Sequence, residues 1–448
     1  MKKVILSINC LLVSILLLPM ANASVHEKIL ENGLKVIVKE DHRAPVATAQ
    51  VWYKVGSANE YGGITGVSHV LEHMMFKGTP KFPVGRFSKI LAGIGARDNA
   101  FTSRDFTAYY QLFDVSKLET SFELESDRMA HLTLDEGEFN KEIEVVKEER
   151  RLRTEDNPNA LTYEQFNAAA YNSSSYHNPV IGWMNDLDNM QVSDLRAWYE
   201  YWYMPNNATL VVVGDVNADD VFALAEKYYG VIPQREVATS KPRIEAQQIG
   251  ERRVEVKAIA KLPYMIMGYK VPSLKTMQDK REAYALNVLA GILDGGRSSR
   301  LSKHLVRGQE IAASAGAGYS LYSARDNMFL FDGTPNANKN LDELEQAIDE
   351  EIEKLKTELV SEQELKRVKA QVVASEVYQH DSIQRQAYII GSLETVGLGW
   401  QTMNGYADNI EAVTAQEIQS VAKKYFVNER KTVAYLTPLE QKSFGASK

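Results

Sequence analysis

The sequence predicts an α+β fold assembled from two copies of one plan. Two observations carry this. Strand-like segments with partial alternation are interspersed with long helical stretches, which argues against a doubly wound parallel sheet. The order of these segments in the first half is then repeated in the second.

In chain order, KILENGLKVIVKED reads as an alternating strand turned at Asn32-Gly33, and VATAQVWYKVGSANE as a second strand. A helix carrying SHVLEHMMF follows, then helical stretches at 117–131 and 138–154. The first copy ends in SDLRAWYEYWYMPNNATLVVVGD: a helix closing on aromatics at core spacing, a polar turn, and TLVVVGD as an alternating structural strand. The segment GVIPQREVATSKPRIEAQQIGE, with Pro233, Pro242 and mixed charges, reads as a connection. The second copy opens with RVEVKAIAKLPYMIMGYKV, then a helix containing ALNVLAGIL, with helical stretches at 278–293, 339–357 and 361–379. It closes on QEIQSVAKKYFVNERKTVAYLTP, matching the end of the first copy. The expected division is a leader over 1–23, a first domain over 24–235, a linker over 236–250 and a second domain over 251–448.

Residues 1–23 have the pattern of a secretory signal peptide: Lys2 and Lys3, an apolar run to Leu18, and the small-x-small site Ala21-Asn22-Ala23. Cleavage places the chain in the periplasm, or outside the cell. Cys10, the only cysteine, leaves with the leader, so the remainder has no disulfide and no thiolate ligand. The net charge of −8 becomes more negative without the two lysines, and no basic tract is present, which excludes a nucleic-acid binder. No later run is long and apolar enough to span a membrane.

One short stretch carries chemistry. In SHVLEH, His69 and His73 stand at i and i+4 of a helix, so both imidazoles reach one point, with Glu72 beside them. Two imidazoles suit zinc rather than calcium or magnesium, and a nearby carboxylate can carry a water proton. On spacing alone, a solvated helix face explains the pattern equally well. His26, His42, His131, His177, His304 and His380 lack a partner at ligand spacing and read as surface or satisfied core residues.

GVSHVLEHMMFKGT, followed by DNAFTSRDFTAYY and VVKEER, resembles the pitrilysin (insulinase) family of zinc peptidases, whose signature is an inverted H-x-x-E-H motif. The likeness runs over nearly all of the chain beyond the leader. Within that family it resembles the zinc-bearing, beta-type subunit of the mitochondrial processing peptidase. The resemblance implies a clam-like pair of halves around a chamber, and one Zn2+ per chain. His69, His73 and Glu149 would hold the ion, Glu72 would be the general base, and Glu142, two helical turns before Glu149, would support the site. Register against the family, not charge, selects Glu149 over Glu148. Asn99, Ala100 and Phe101 fall in the segment that pairs with the substrate backbone. Many members carry an arginine, then a tyrosine seven positions on, that reach the reacting groups. Arg307 fits, but Ser314 stands at the tyrosine position. This implies a homodimer, or a heterodimer with a related subunit that supplies an arginine–tyrosine pair. The implied activity is a metalloendopeptidase acting on peptides or unfolded segments. The alternative is a non-catalytic structural or peptide-binding subunit of a cell-envelope complex. In the second copy, Asn287, Ala290 and Gly291 align with His69, Glu72 and His73.

Overall fold

A computed structural model describes residues 25–237, 243–379 and 381–439. The expected leader, positions 238–242 of the expected linker, and His380 lie outside the described residues.

Among the described residues, eleven strands form two sheets. Strands β1 (Val25–Ile29), β2 (Lys35–Glu40), β3 (Val46–Tyr53), β4 (Arg97–Thr102), β5 (Thr107–Asp114) and β6 (Ala208–Gly214) lie in the order β1-β2-β6-β3-β5-β4. Strands β7 (Arg252–Ile259), β8 (Tyr264–Val271), β9 (Ala312–Tyr319), β10 (Asn327–Pro335) and β11 (Lys431–Leu439) lie in the order β7-β11-β8-β10-β9. Apart from β1 the two orders correspond strand for strand. The late strand of each half enters beside the first, parallel to it, and antiparallel to the next. The duplication read from the sequence is thus present in topology: two sheets, each with its own packed helices.

The expected helices form at Leu118–His131, Glu136–Arg150, Lys280–Asp294, Leu341–Thr357 and Glu362–Gln379. Caps fix their starts. Asp135 accepts the Glu138 N–H at 2.9 Å, and Asn340 with Glu343 forms a reciprocal capping box. Each half then has its own core. The first gathers Leu71, Phe122, Trp198 and Tyr203 against one face of its sheet, and the second gathers Leu289, Phe329, Ile348 and Phe426.

The other face of each sheet is covered by a helix from the opposite half. Ile383–Val396, from the second half, lies on β3 and β6. There Ala387 and Ile390 meet Ile37, Trp52, Val211 and Val213. Reciprocally, Pro158–Ala170 from the first half lies on β7, β8 and β11, placing Phe166 against Ile266, Met328 and Ala434. This corrects the reading of TLVVVGD as alternating: β6 is buried at all seven positions, because both of its faces are covered. Trp52 and Phe166 are fully enclosed at this exchange, and truncating either to alanine would cost about 3–5 kcal/mol.

Candidate metal centre

The motif helix runs from Val67 to Met74. Its start is held from two sides. The buried Glu60 carboxylate accepts the Gly66 N–H at 2.8 Å and the Ser68 N–H at 2.9 Å, satisfying donors that a helix end leaves free. Burial pushes the Glu60 carboxyl up to about 7, against the pull of these bonds. Gly66, at φ +89°, packs against Gly182, at φ +87°; a Cβ on Gly66 would meet the Ile181 carbonyl at 2.6 Å. Arg150 closes the arrangement from the far side. It donates two parallel hydrogen bonds to the Glu164 carboxylate, at 2.8 and 3.0 Å, and another to the Gly182 carbonyl at 2.9 Å.

The Glu136–Arg150 helix packs on the motif helix and brings Glu149 to the histidines. One ligand atom each of His69, His73 and Glu149 lies within 4.8 Å of the others. His73 Nε2 is 3.4 Å from Glu149 Oε2, and His69 Nε2 is 3.9 Å from Glu149 Oε1. Glu142 Oε1 accepts the His73 Nδ1–H at 2.9 Å, which orients the ring so that Nε2 faces Glu149. Lys77 pairs with the other Glu142 oxygen. Burial opposes the charge on Glu142, but Lys77 and His73 together hold its carboxyl below the ordinary range. Burial, then the charges of His73 and Arg153, lower His69 to about 3, so its imidazole is neutral as a ligand requires. His69 Nδ1 is buried without a hydrogen-bond partner among the described residues.

This donor set fits zinc. Ligand atoms about 2.1 Å from a tetrahedral ion stand about 3.4 Å apart; the His73–Glu149 separation of 3.4 Å matches that, and the His69–Glu149 separation of 3.9 Å is about 0.5 Å longer. Glu148, the rival to Glu149, is exposed and pairs with Arg151 at 3.0 Å. Glu72 lies beside the cluster, 9% exposed. Thr102 Oγ1 donates to its Oε2 at 2.5 Å, and burial raises its carboxyl above the ordinary value.

The cluster opens into a cleft of about 680 Å³ lined by Glu72, Asn99, Ala100, Phe101 and Thr102 among others. Among the described residues β4 pairs only with β5, which leaves its outer edge without a strand partner. Ala100 and Asn99 lie on this strand, and Phe101 also packs on Trp52 with ring centroids 5.3 Å apart. Arg307 is not brought to the cleft. It is exposed and donates to the carbonyls of Ser302 and Arg297. Ser314 lies exposed on β9 opposite Thr334. His177 departs from its reading as a surface or satisfied core residue: it lines the cleft, with a buried Nδ1 that has no hydrogen-bond partner among the described residues. Glu60, Thr102 and His177 carry no spacing signal, and only the fold brings them to the site. In the second half, the Lys280–Asp294 helix holds the corresponding place between β9 and the Glu362–Gln379 helix. Asn287 there donates to Tyr406 Oη at 2.8 Å.

A duplicated sheet-and-helix fold with two histidines and a glutamate converging in one half is protease-like. Residues 35–183 match the family described as Insulinase (Peptidase family M16), and residues 189–372 the family described as Peptidase M16 inactive domain. The chain is 33% identical over 418 residues to a Helicobacter pylori protein named Zinc protease PqqE, covering 92% of this chain and 93% of the relative. It is 26% identical over 401 residues to a Bacillus subtilis protein named Uncharacterized zinc protease YmxG, covering 89% and 95%. The crystal structure of a protease from Helicobacter pylori superposes with a TM-score of 0.88 at 31% identity, covering 93% of this chain and 100% of that one. The chain belongs to peptidase family M16, the insulinase family.

Proposed function

We propose that the chain is a zinc-dependent endopeptidase for peptides or unfolded segments. One observation carries this: two imidazoles and a carboxylate converge within 4.8 Å, beside a buried Glu72 and the outer edge of β4. His69, His73 and Glu149 would hold one zinc ion. When bound, zinc supplies a Lewis acid that acidifies a water near neutral pH and polarises the scissile carbonyl. The outer edge of β4, with Asn99, Ala100 and Phe101, takes the substrate backbone as an added strand and so tolerates many sequences. Glu72, held by Thr102, accepts the proton of the attacking water and delivers it to the departing amine. Its raised affinity for a proton suits both steps. Glu142 keeps His73 in the tautomer that presents Nε2.

The finer likeness, to the beta-type subunit of the mitochondrial processing peptidase, is part of the same proposal. So is pairing with a second copy or a related chain that supplies an arginine–tyrosine pair. Ser314 at the tyrosine position and the outward Arg307 support it. The proposed division is 24–235, linker 236–250 and 251–448, with export to the periplasm directed by 1–23.

The test is peptide turnover by the purified mature chain, with and without a chelator, beside Glu72→Gln. Chelation should abolish turnover and added zinc restore it. Glu72→Gln should retain stoichiometric zinc and lose turnover. Wild-type rates in that variant would reject Glu72 as the base. Peptide binding unaffected by chelation, with no turnover, would return the chain to the non-catalytic alternative.

A further inference from the structure

The cleft extends past the metal cluster along the end of β4. The chain turns there through Arg104 and Asp105 and returns as β5. The turn is fixed by its neighbours. Ser103 N donates to Phe106 O at 2.8 Å, and Ala58 N donates to Arg104 O at 2.8 Å. Gly56 lies so close that a Cβ on it would meet the Ser103 carbonyl at 2.4 Å. Asp105, the adjacent carboxylate, is already engaged. It accepts the Tyr176 hydroxyl, at 2.7 and 2.6 Å to its two oxygens, and the Ala324 N–H of the second half at 3.0 Å.

Arg104 is half-buried. Its guanidinium lies over the Tyr176 ring, 5.0 Å from the centroid, and makes no hydrogen bond or ion pair with any described residue. Other buried and half-buried arginines are engaged. Arg128 grips Glu125, Arg150 grips Glu164 and Arg300 grips Glu364, each through two parallel bonds, while Arg235, Arg252, Arg325 and Arg430 donate to backbone carbonyls. A guanidinium fork is matched in shape and charge by a carboxylate, and Arg104 has neither a carboxylate nor a carbonyl among the described residues. It lines both the metal-site cleft and an adjoining pocket of about 480 Å³, whose lining includes Tyr322 and Tyr388 of the second half. His177, the residue after Tyr176, lines the same cleft with its unpartnered Nδ1.

We infer that Arg104 is a specificity-determining residue that receives a carboxylate of the peptide substrate, from an acidic side chain or from the chain terminus. The inference rests on the peptidase reading for its setting. Arg104 is the second residue after Thr102, which touches Glu72, so their α-carbons are at most about 7 Å apart. The carboxylate is therefore within about three residues of the bond that is cut.

The zinc-loaded mature chain is presented with a quenched peptide series. One position at a time, over three on each side of the cleaved bond, is Glu, Gln or Lys, and each peptide is made as free acid and as amide. Wild type should favour Glu over Gln at one position by at least about tenfold in kcat/KM. A preference for free acid over amide would instead assign the carboxylate to the chain terminus. Arg104→Gln should bring the ratio to within about twofold of one, Arg104→Lys should keep part of it, and Arg104→Glu should favour Lys. Ratios near one in wild type, or a ratio that survives Arg104→Gln, overturn the inference. Binding of the same peptides, dye-labelled, to metal-free protein is read by anisotropy. If nothing is cleaved but the Glu peptide binds about tenfold more tightly than the Gln peptide, and only with Arg104 present, the peptidase reading falls and the subsite stands. With no cleavage and no such binding difference, both fall.

Discussion

Gly391→Ala tests the exchange of helices between the halves. In an ordinary helix interior this change stabilises by about 1 kcal/mol, because glycine is the poorer helix former. Here the added Cβ would lie 2.2 Å from Trp52 Cε2 and Nε1 and 2.5 Å from Cδ2. Carbon atoms in contact rest about 3.5–4.0 Å apart, so the ring must retreat by more than about 1 Å. It has nowhere to go: Phe106, Phe101 and Tyr388 surround it with centroids at 5.0, 5.3 and 5.4 Å, and Nε1 donates to Gln50 at 3.1 Å. Overpacking costs about 1–3 kcal/mol, and displacing the indole from Gln50 about 1 more. After the helix-forming gain is subtracted, the variant should be about 1–3 kcal/mol less stable. Equilibrium unfolding in urea, followed by tryptophan fluorescence, measures this. A variant as stable as wild type, or more so, would refute the close packing of the exchanged helix on β3.

Two further outcomes concern the site and the seam. Glu142→Ala leaves the His73 Nδ1–H and Lys77 without their acceptor, so zinc affinity, read by competition with a chromophoric chelator, should fall about 10–100-fold; unchanged affinity would release Glu142 from that role. Asp41 is held down to about 2 from its ordinary 3.8, first by its bonds to Arg43, and it also accepts from Gln386 on the exchanged helix at 3.1 Å. Because the folded value is the lower one, this stabilisation is complete above pH 3.8 and is lost as pH falls through about 2. Stability measured down that range should drop in wild type and drop less in Asp41→Asn.

Much of this architecture was legible because it is local. Repeated strand–helix order, long helical periodicity and paired histidines one turn apart are all properties of neighbouring residues. The unread parts depend on distant ones. The Pro158–Ala170 and Ile383–Val396 helices bury themselves against the opposite half, so neither has a single apolar stripe matched to its own neighbours. The full burial of β6 follows from the same exchange. Glu149 was selected over Glu148 only by family register, whereas the helix crossing turns one inward and the other to solvent. His177 and Arg104 belong to the cleft through loop closure and a strand turn, for which spacing gives no sign.

The exchange also decides what becomes of the chain when it is cut. A protease that nicks the connection between the halves does not release two small soluble proteins unless the fragments stay together. Separated, the first would bare Ile37, Trp52, Val211 and Val213, and the second Ile266, Met328 and Ala434: contiguous oily walls of the kind that drive clumping. The second half, which has Asn287, Ala290 and Gly291 where the first has its histidines and glutamate, covers the apolar face that the first would otherwise expose.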